Sequence, residues 1–187
     1  MRYEWAQSIV EIVRGDIVEV TADSPIDALV TAANAGLRGG GGVDAVIHRA
    51  GGPDILEECC HLGGCPTGSA VVTGAGRLPA RWVIHAVGPV WKGGGAGEAE
   101  LLASAYRSSL TRLEEVGGHV IAFPSISTGI YGYPVQEASV VCVATVLRYL
   151  EAVSAPLQVV LVQFDEATHA AYLRAAEALR AALGPTL

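Results

Sequence analysis

Lysine is almost missing from this chain. Of 187 residues one is Lys, at position 92, and the other eleven cations are scattered Arg; the formal net charge is -7. A duplex nucleic-acid surface needs clustered cations against its phosphates, so that class of partner is excluded. Charge of either sign is scarce as well, at 17% of residues, where about a quarter is usual for a soluble domain. With 51% hydrophobic residues the chain can fill a sizeable core, which excludes disorder. Long apolar runs are also lacking. The longest uncharged stretch, VGGHVIAFPSISTGIYGYPVQ at 116–136, carries a Gly pair and two Pro and makes a poor spanning helix. The N-terminal MRYEWAQSIVEIV has acids inside its apolar part, unlike a signal peptide. Cysteine occurs four times, at 59, 60, 65 and 142, too few in this length for a disulfide scaffold. A reduced, cytoplasmic protein is expected, without a membrane partner.

Several familiar motifs are missing. The single Lys follows Trp91, not a Gly, so there is no Walker A loop; there is no G-x-G-x-x-G, G-x-S-x-G, H-E-x-x-H or C-x-x-C. Cys59, Cys60, His61 and Cys65 resemble a metal cluster only superficially, because their spacing matches no common zinc pattern. No metal is expected. His85 and His119 read as core or edge residues of strands.

Glycine, by contrast, is plentiful, with 23 residues and no three-residue period, so collagen is excluded. Short β-branched runs at 9–13, 28–32, 70–73, 82–87, 120–123 and 157–162 alternate with helical patterns. Apolar residues at helical spacing predict helices over 98–115, 136–152 and 166–183, the first stopped by Gly117-Gly118 and the last by Gly184-Pro185. The alternation predicts one α/β domain using all of 1–187, with a largely parallel sheet covered on both faces. Ligands of such sheets sit beyond the carboxyl ends of the strands.

Two glycine-bearing segments follow strand ends. ANAGLRGGGGVDAVIHRAG at 33–51 turns through four glycines into a helix, whose free N–H groups and dipole suit an anion without Lys or Arg. Asp44 stands at that helix start and His48 one turn later on the same face. Each also has an ordinary structural explanation, a dipole-favoured acid and a packed histidine. Asn34 either holds a ligand hydroxyl or caps its own turn. PSISTGIYGYP at 124–134 offers three hydroxyls and two glycines; two such loops facing each other suit a diphosphate. Tyr131 and Tyr133 stack on a sugar or base, or pack.

The ordered blocks GDI at 15–17, DALVTAAN at 27–34, GGGGVDAVIHRAGG at 39–52, GGCPTG at 63–68, VIHAVGPVW at 83–91 and AFPSISTGIYGYP at 122–134 resemble the macro domain, and more narrowly its MacroD-type branch, over about residues 8–183. The resemblance implies a three-layer α/β/α fold with a mixed, mostly parallel sheet. It implies ADP-ribose as ligand and hydrolysis of ADP-ribosyl esters on acidic side chains and of O-acetyl-ADP-ribose. By position, Asp16 would accept from the adenine amino group, Ile17 would offer its backbone, and Phe164 would pack on the adenine. Ser127, Thr128, Gly129, Ile130 and Tyr131 would wrap the diphosphate and distal ribose from one side; Gly41, Gly42 and Val43 would close from the other. Asn34 would hold the distal ribose, Asp44 would be the catalytic carboxylate, and His48 its neighbour. Partners would be ADP-ribose and ADP-ribosylated proteins or O-acetyl-ADP-ribose, bound by a monomer that needs no cofactor. Thr31 departs from the Asn usual there, a strand position expected to affect support rather than ligand. The alternative is a non-catalytic ADP-ribose reader; a nucleotide phosphatase or NAD enzyme lacks the required fingerprints.

Overall fold

The computed structural model describes residues 1–22 and 24–184. In chain order the elements are β1 (Arg2–Trp5), β2 (Ser8–Arg14), α1 (Ile17–Thr21), β3 (Ala28–Ala32), α2 (Val43–Gly51), α3 (Pro53–Leu62), β4 (Ala70–Gly74), β5 (Trp82–Ala86), α4 (Glu98–Glu115), β6 (Val120–Phe123), α5 (Val135–Ala152), β7 (Gln158–Gln163) and α6 (Glu166–Leu183). The seven strands form one sheet in the order β1-β2-β7-β6-β3-β5-β4. Its five inner strands run parallel, while β1 against β2 and β4 against β5 are antiparallel. The sheet is therefore mixed, as the family resemblance implied, with antiparallel edges that the β/α alternation did not anticipate. No helix among the described residues is long and apolar enough to cross a membrane.

Strand alternation sorts side chains into two cores. Ala28 and Val30 of β3 join Leu102, Tyr106, Cys142, Leu147 and Tyr172 from α4, α5 and α6. Leu29 joins Ile17, Ile47, Ile55 and Cys59 from α1, α2 and α3 on the opposite face. Period 2 then puts Thr31 on the α2–α3 side, fully buried. Each large side chain buried outright, such as Phe123, contributes about 1.5–3 kcal/mol.

Local chemistry fixes the ends of the elements. After α4, the Gly118 N–H donates to the Leu113 carbonyl and the Gly117 N–H to that of Glu114, with Gly117 at φ +69°. This is a Schellman stop, in which glycine accommodates the left-handed turn. Asp165 caps α6 by accepting from the Thr168 N–H at 2.8 Å, and the Pro185 stop lies outside the described residues. Asp27 accepts from the N–H groups of His119 and Val120 at 2.8 and 3.0 Å, which ties the start of β6 to β3. His119 itself is exposed, just ahead of β6, rather than a core position.

Candidate active site

A cavity of about 850 Å³ opens where the parallel strands end. Its walls include Asp16, Ile17, Asn34, Gly41, Gly42, Val43, Asp44, Ser127, Thr128, Gly129, Ile130, Tyr131 and Phe164. Every residue expected from the sequence is thus brought together there except His48. That histidine stands behind Asp44, its Nε2 3.6 Å from Asp44 Oδ1, beyond hydrogen-bond range. The cavity also takes in Gly40 and Ser125 of the two glycine-bearing segments, and Gly88, Asp165 and Thr168, which the sequence reading had not assigned.

The first loop is held by its own asparagine. Asn34 Nδ2 donates to the Gly39 carbonyl at 2.7 Å, and Oδ1 accepts from the Gly36 N–H at 3.1 Å. These bonds match the capping reading of Asn34, and the same side chain lines the cavity. Gly42, at φ +59°, leads into α2 without a side-chain cap, so the helix N-terminus carries N–H groups that no side chain occupies. A Cβ on Gly41 would lie 2.8 Å from Ile130 Cδ1, so the two glycine loops meet across the cavity.

The second loop is anchored in the core. The Thr128 hydroxyl donates to Ser125 Oγ at 2.8 Å, Ser125 Oγ lies 2.9 Å from the Tyr172 hydroxyl, and the Ile126 N–H donates to the Tyr106 hydroxyl at 3.2 Å. Neither tyrosine stood out in the sequence, since both occupy ordinary apolar positions of helices. Ser127 adopts φ +67°, a left-handed conformation that is unfavourable for a side chain bearing Cβ, and its buried Oγ has no partner. Tyr133 is buried and packs on Trp91 with ring centroids 4.5 Å apart, whereas Tyr131 faces the cavity. Phe164 is 79% exposed at the cavity rim, an uncovered ring suited to a planar ligand. Asp16 uses Oδ1 to cap α1, accepting from the Val18 N–H at 2.8 Å.

Asp44 is the buried charge of the site. It is 2% exposed. Its Oδ1 accepts from the Thr31 hydroxyl at 2.8 Å, and its buried Oδ2 has no hydrogen-bond partner. Burial raises its pKa above the ordinary carboxylate value, opposed by the Thr31 hydrogen bond and by His48.

Beneath Asp44 lies a polar layer that spacing in the sequence did not reveal. His85 sits beside Thr31 in the register of β5 and β3. The Thr73 hydroxyl lies 3.0 Å from the Gly74 carbonyl and within hydrogen-bond distance, 2.9 Å, of His85 Nε2. Burial keeps His85 neutral, with its pKa pushed down to about 3, and pushes the Cys59 thiol up to about 11. His48, Cys59 and His85 are the donors that converge among the described residues. Cys59 Sγ, however, lies 3.8 and 3.6 Å from the two ring nitrogens of His85. Near-equal distances place the sulfur across the ring, off any single nitrogen lone pair, which suits packed neutral groups better than ligands of one ion. Cys60 and His61, the sequence-level metal candidates beside Cys59, are exposed on α3.

Comparison with known proteins places these features. The family model described as Macro domain matches residues 30–142. A macro domain-containing protein of Caldanaerobacter subterraneus subsp. tengcongensis is 50% identical over 174 residues, covering 91% of this chain and 97% of its own. A protein of Salmonella typhimurium named O-acetyl-ADP-ribose deacetylase is 48% identical over 171 residues, covering 89% of this chain and 93% of its own. Among solved structures, the Oceanobacillus iheyensis macrodomain with ADP superposes with a TM-score of 0.90 at 34% identity, over 97% of each chain.

Proposed function

The chain belongs to the macro domain family, and on that premise we propose that it is an ADP-ribose-binding hydrolase. Its substrates are O-acetyl-ADP-ribose and proteins carrying mono-ADP-ribose esterified to acidic side chains. The observation that carries the catalytic part is Asp44: a carboxylate 2% exposed, one oxygen held by Thr31 and the other unpartnered, at the cavity wall between the glycine loops. An unsatisfied carboxylate oxygen in a buried setting is costly unless it has a task or a ligand to meet. The deacetylase name of relatives at about half identity supports the same chemistry.

The geometry suggests a division of labour. Phe164 and Ile17 flank the base, with Asp16 beside them. Backbone N–H groups of the 127–131 loop and of the α2 N-terminus hold the diphosphate. Asn34 and Asp44 face the distal ribose. In deacetylation, Asp44 Oδ2 takes a proton from water as the water oxygen adds to the acetyl carbonyl carbon; the carbon–oxygen bond to the ribose breaks, and the ribose oxygen leaves protonated. Acetate and ADP-ribose are the products. With a glutamyl or aspartyl ester, water attacks either the acyl carbon or the anomeric carbon. A phosphate oxygen of the substrate is the competing base, in which case Asp44 orients the water.

The test is direct. The protein is incubated with O-acetyl-ADP-ribose or a glutamate-ADP-ribosylated protein, and ADP-ribose release is followed. Release no faster than in buffer, with ADP-ribose still bound, would make the protein a reader. Asp44→Ala is expected to lose turnover by about 100-fold or more, the scale of a lost acid–base group, while keeping most of its affinity for ADP-ribose. Equal turnover in the variant would remove Asp44 from this role.

A further inference from the structure

We infer that Thr31 is a positioning residue for this reaction, its hydroxyl holding Asp44 so that Oδ1 is occupied and Oδ2 alone is left for water or substrate. The inference rests on the hydrolase reading above but can be tested apart from it. Thr31 is fully buried on β3, and its hydroxyl is 2.8 Å from Asp44 Oδ1. A Thr hydroxyl carries one proton, so donation to Oδ1 spends it there. Its β-branched side chain has little freedom at χ1, and its backbone is fixed by pairing with His85 of β5. An Asp side chain, by contrast, has a broad χ2 and needs an outside restraint to present one chosen oxygen.

Among the described residues no other group donates a hydrogen bond to Asp44. The titratable groups packed around the pair are His48 on α2, Cys59 on α3 and His85 on β5. His48 Nε2 is 3.6 Å from Oδ1, too long for a hydrogen bond. His85 Nε2 is committed to Thr73. Cys59 lies against the His85 ring. A hydrogen bond to the carboxylate also favours its charged form, which is the form able to accept a proton from water. Thr31 therefore serves both geometry and basicity, through a contact that never reaches the ligand.

The test uses Thr31→Val, which keeps the shape and removes the donor, and Thr31→Ser, which keeps the donor. Thr31→Val is expected to lower kcat about tenfold, the loss typical of one hydrogen bond to a charged group. KM and ADP-ribose affinity should change less than about twofold, as expected when only transition-state interactions are lost. The acid limb of its kcat–pH profile should move to higher pH, because the ionised carboxylate has lost a donor. Thr31→Ser should return both kcat and the acid limb toward wild type. An unchanged kcat and acid limb in Thr31→Val, or a Ser variant no better than Val, would overturn the inference. A carboxyl-carbon NMR titration of Asp44 in wild type and Thr31→Val reads the same contact without turnover. If the wild type hydrolyses nothing, the hydrolase reading falls. The titration then decides Thr31 alone, and an Asp44 curve identical in both proteins sinks it.

Discussion

At the scale of single residues, the raised pKa of Asp44 couples function to stability. A carboxyl whose folded-state pKa exceeds its unfolded value favours folding while protonated. That contribution is complete below the unfolded value, about pH 4, and is lost as pH rises through the higher folded value. Above the unfolded value the buried carboxyl therefore costs stability. Asp44→Asn keeps an acceptor for Thr31 and removes the charge, so it should melt above wild type at pH 7.5. A gain of about 1 kcal/mol corresponds to about 2–4 °C in a chain of this size, and the difference should close toward pH 4. Melting curves across that range check it; a gap independent of pH would refute the assignment. If Asp44 is the proposed base, turnover should fall as pH drops through the same raised value. Phe164, with 79% of its surface uncovered, carries a separate expectation. Phe164→Ala should weaken ADP-ribose binding by roughly 1–3 kcal/mol, the scale of a stacked base, and leave the melting temperature nearly unchanged. Calorimetric titration measures it. Asp44 and Asn34 stood out in the sequence because each sits in a contiguous motif, whereas Phe164 lies outside those blocks and was assigned only by position through the family resemblance. The His85–Thr73–Cys59 layer was not legible, because its members come from β5, β4 and α3 and meet only once the sheet is ordered β3-β5-β4.

At the scale of elements, the site is two loops whose shape is fixed from behind. A Cβ on Gly88 would stand 2.2 Å from Ser127 Oγ and 2.5 Å from Ile126 Cγ2. Gly88→Ala should therefore displace the second loop, at an overpacking cost of about 1–3 kcal/mol, and weaken ADP-ribose binding along with stability. Gly76→Ala is the control: its Cβ would meet the Gly51 carbonyl at 2.2 Å, at φ +56°, in the turn between β4 and β5. It should lose comparable stability while the folded fraction binds ADP-ribose normally. Equal binding by both variants, measured at a temperature where each is folded, would separate Gly88 from the site. The long helices α4 and α6 were readable to the residue because each repeats its apolar stripe over 18 residues before a glycine stop. Three elements were not. α1 has five residues, too few for a periodic signal, and its cap, Asp16, reads equally well as a binding residue. α3 follows α2 after the single residue Gly52, so the sequence shows no gap between them. β1 has four residues and holds its place through distant contacts, with the Trp5 indole N–H donating to the Leu147 carbonyl at 3.1 Å.

At the scale of the whole molecule, the shortage of Lys becomes a statement about how an anion is held. The chain carries a net charge of -7, and among the described residues the cavity walls contain Asp16, Asp44 and Asp165 but no Lys or Arg. On the proposed reading, a dianionic diphosphate approaching such a protein meets overall repulsion, to be offset by short-range N–H donors and the α2 dipole. Salt acts on these two contributions differently. The long-range repulsion is screened beyond a Debye length of about 10 Å at 0.1 M, whereas backbone donors in contact with the ligand are screened far less. Raising NaCl from 0.05 to 0.5 M should therefore change the Kd for ADP-ribose by less than about threefold, with the association rate constant or slightly higher. A phosphate site built from Arg forks would instead weaken steeply, because its attraction is the screened quantity. Stopped-flow binding at several salt concentrations distinguishes the two. A tenfold loss of affinity with a falling association rate would mean that one of the eleven Arg reaches the diphosphate, and that the glycine loops are not its main anion contacts.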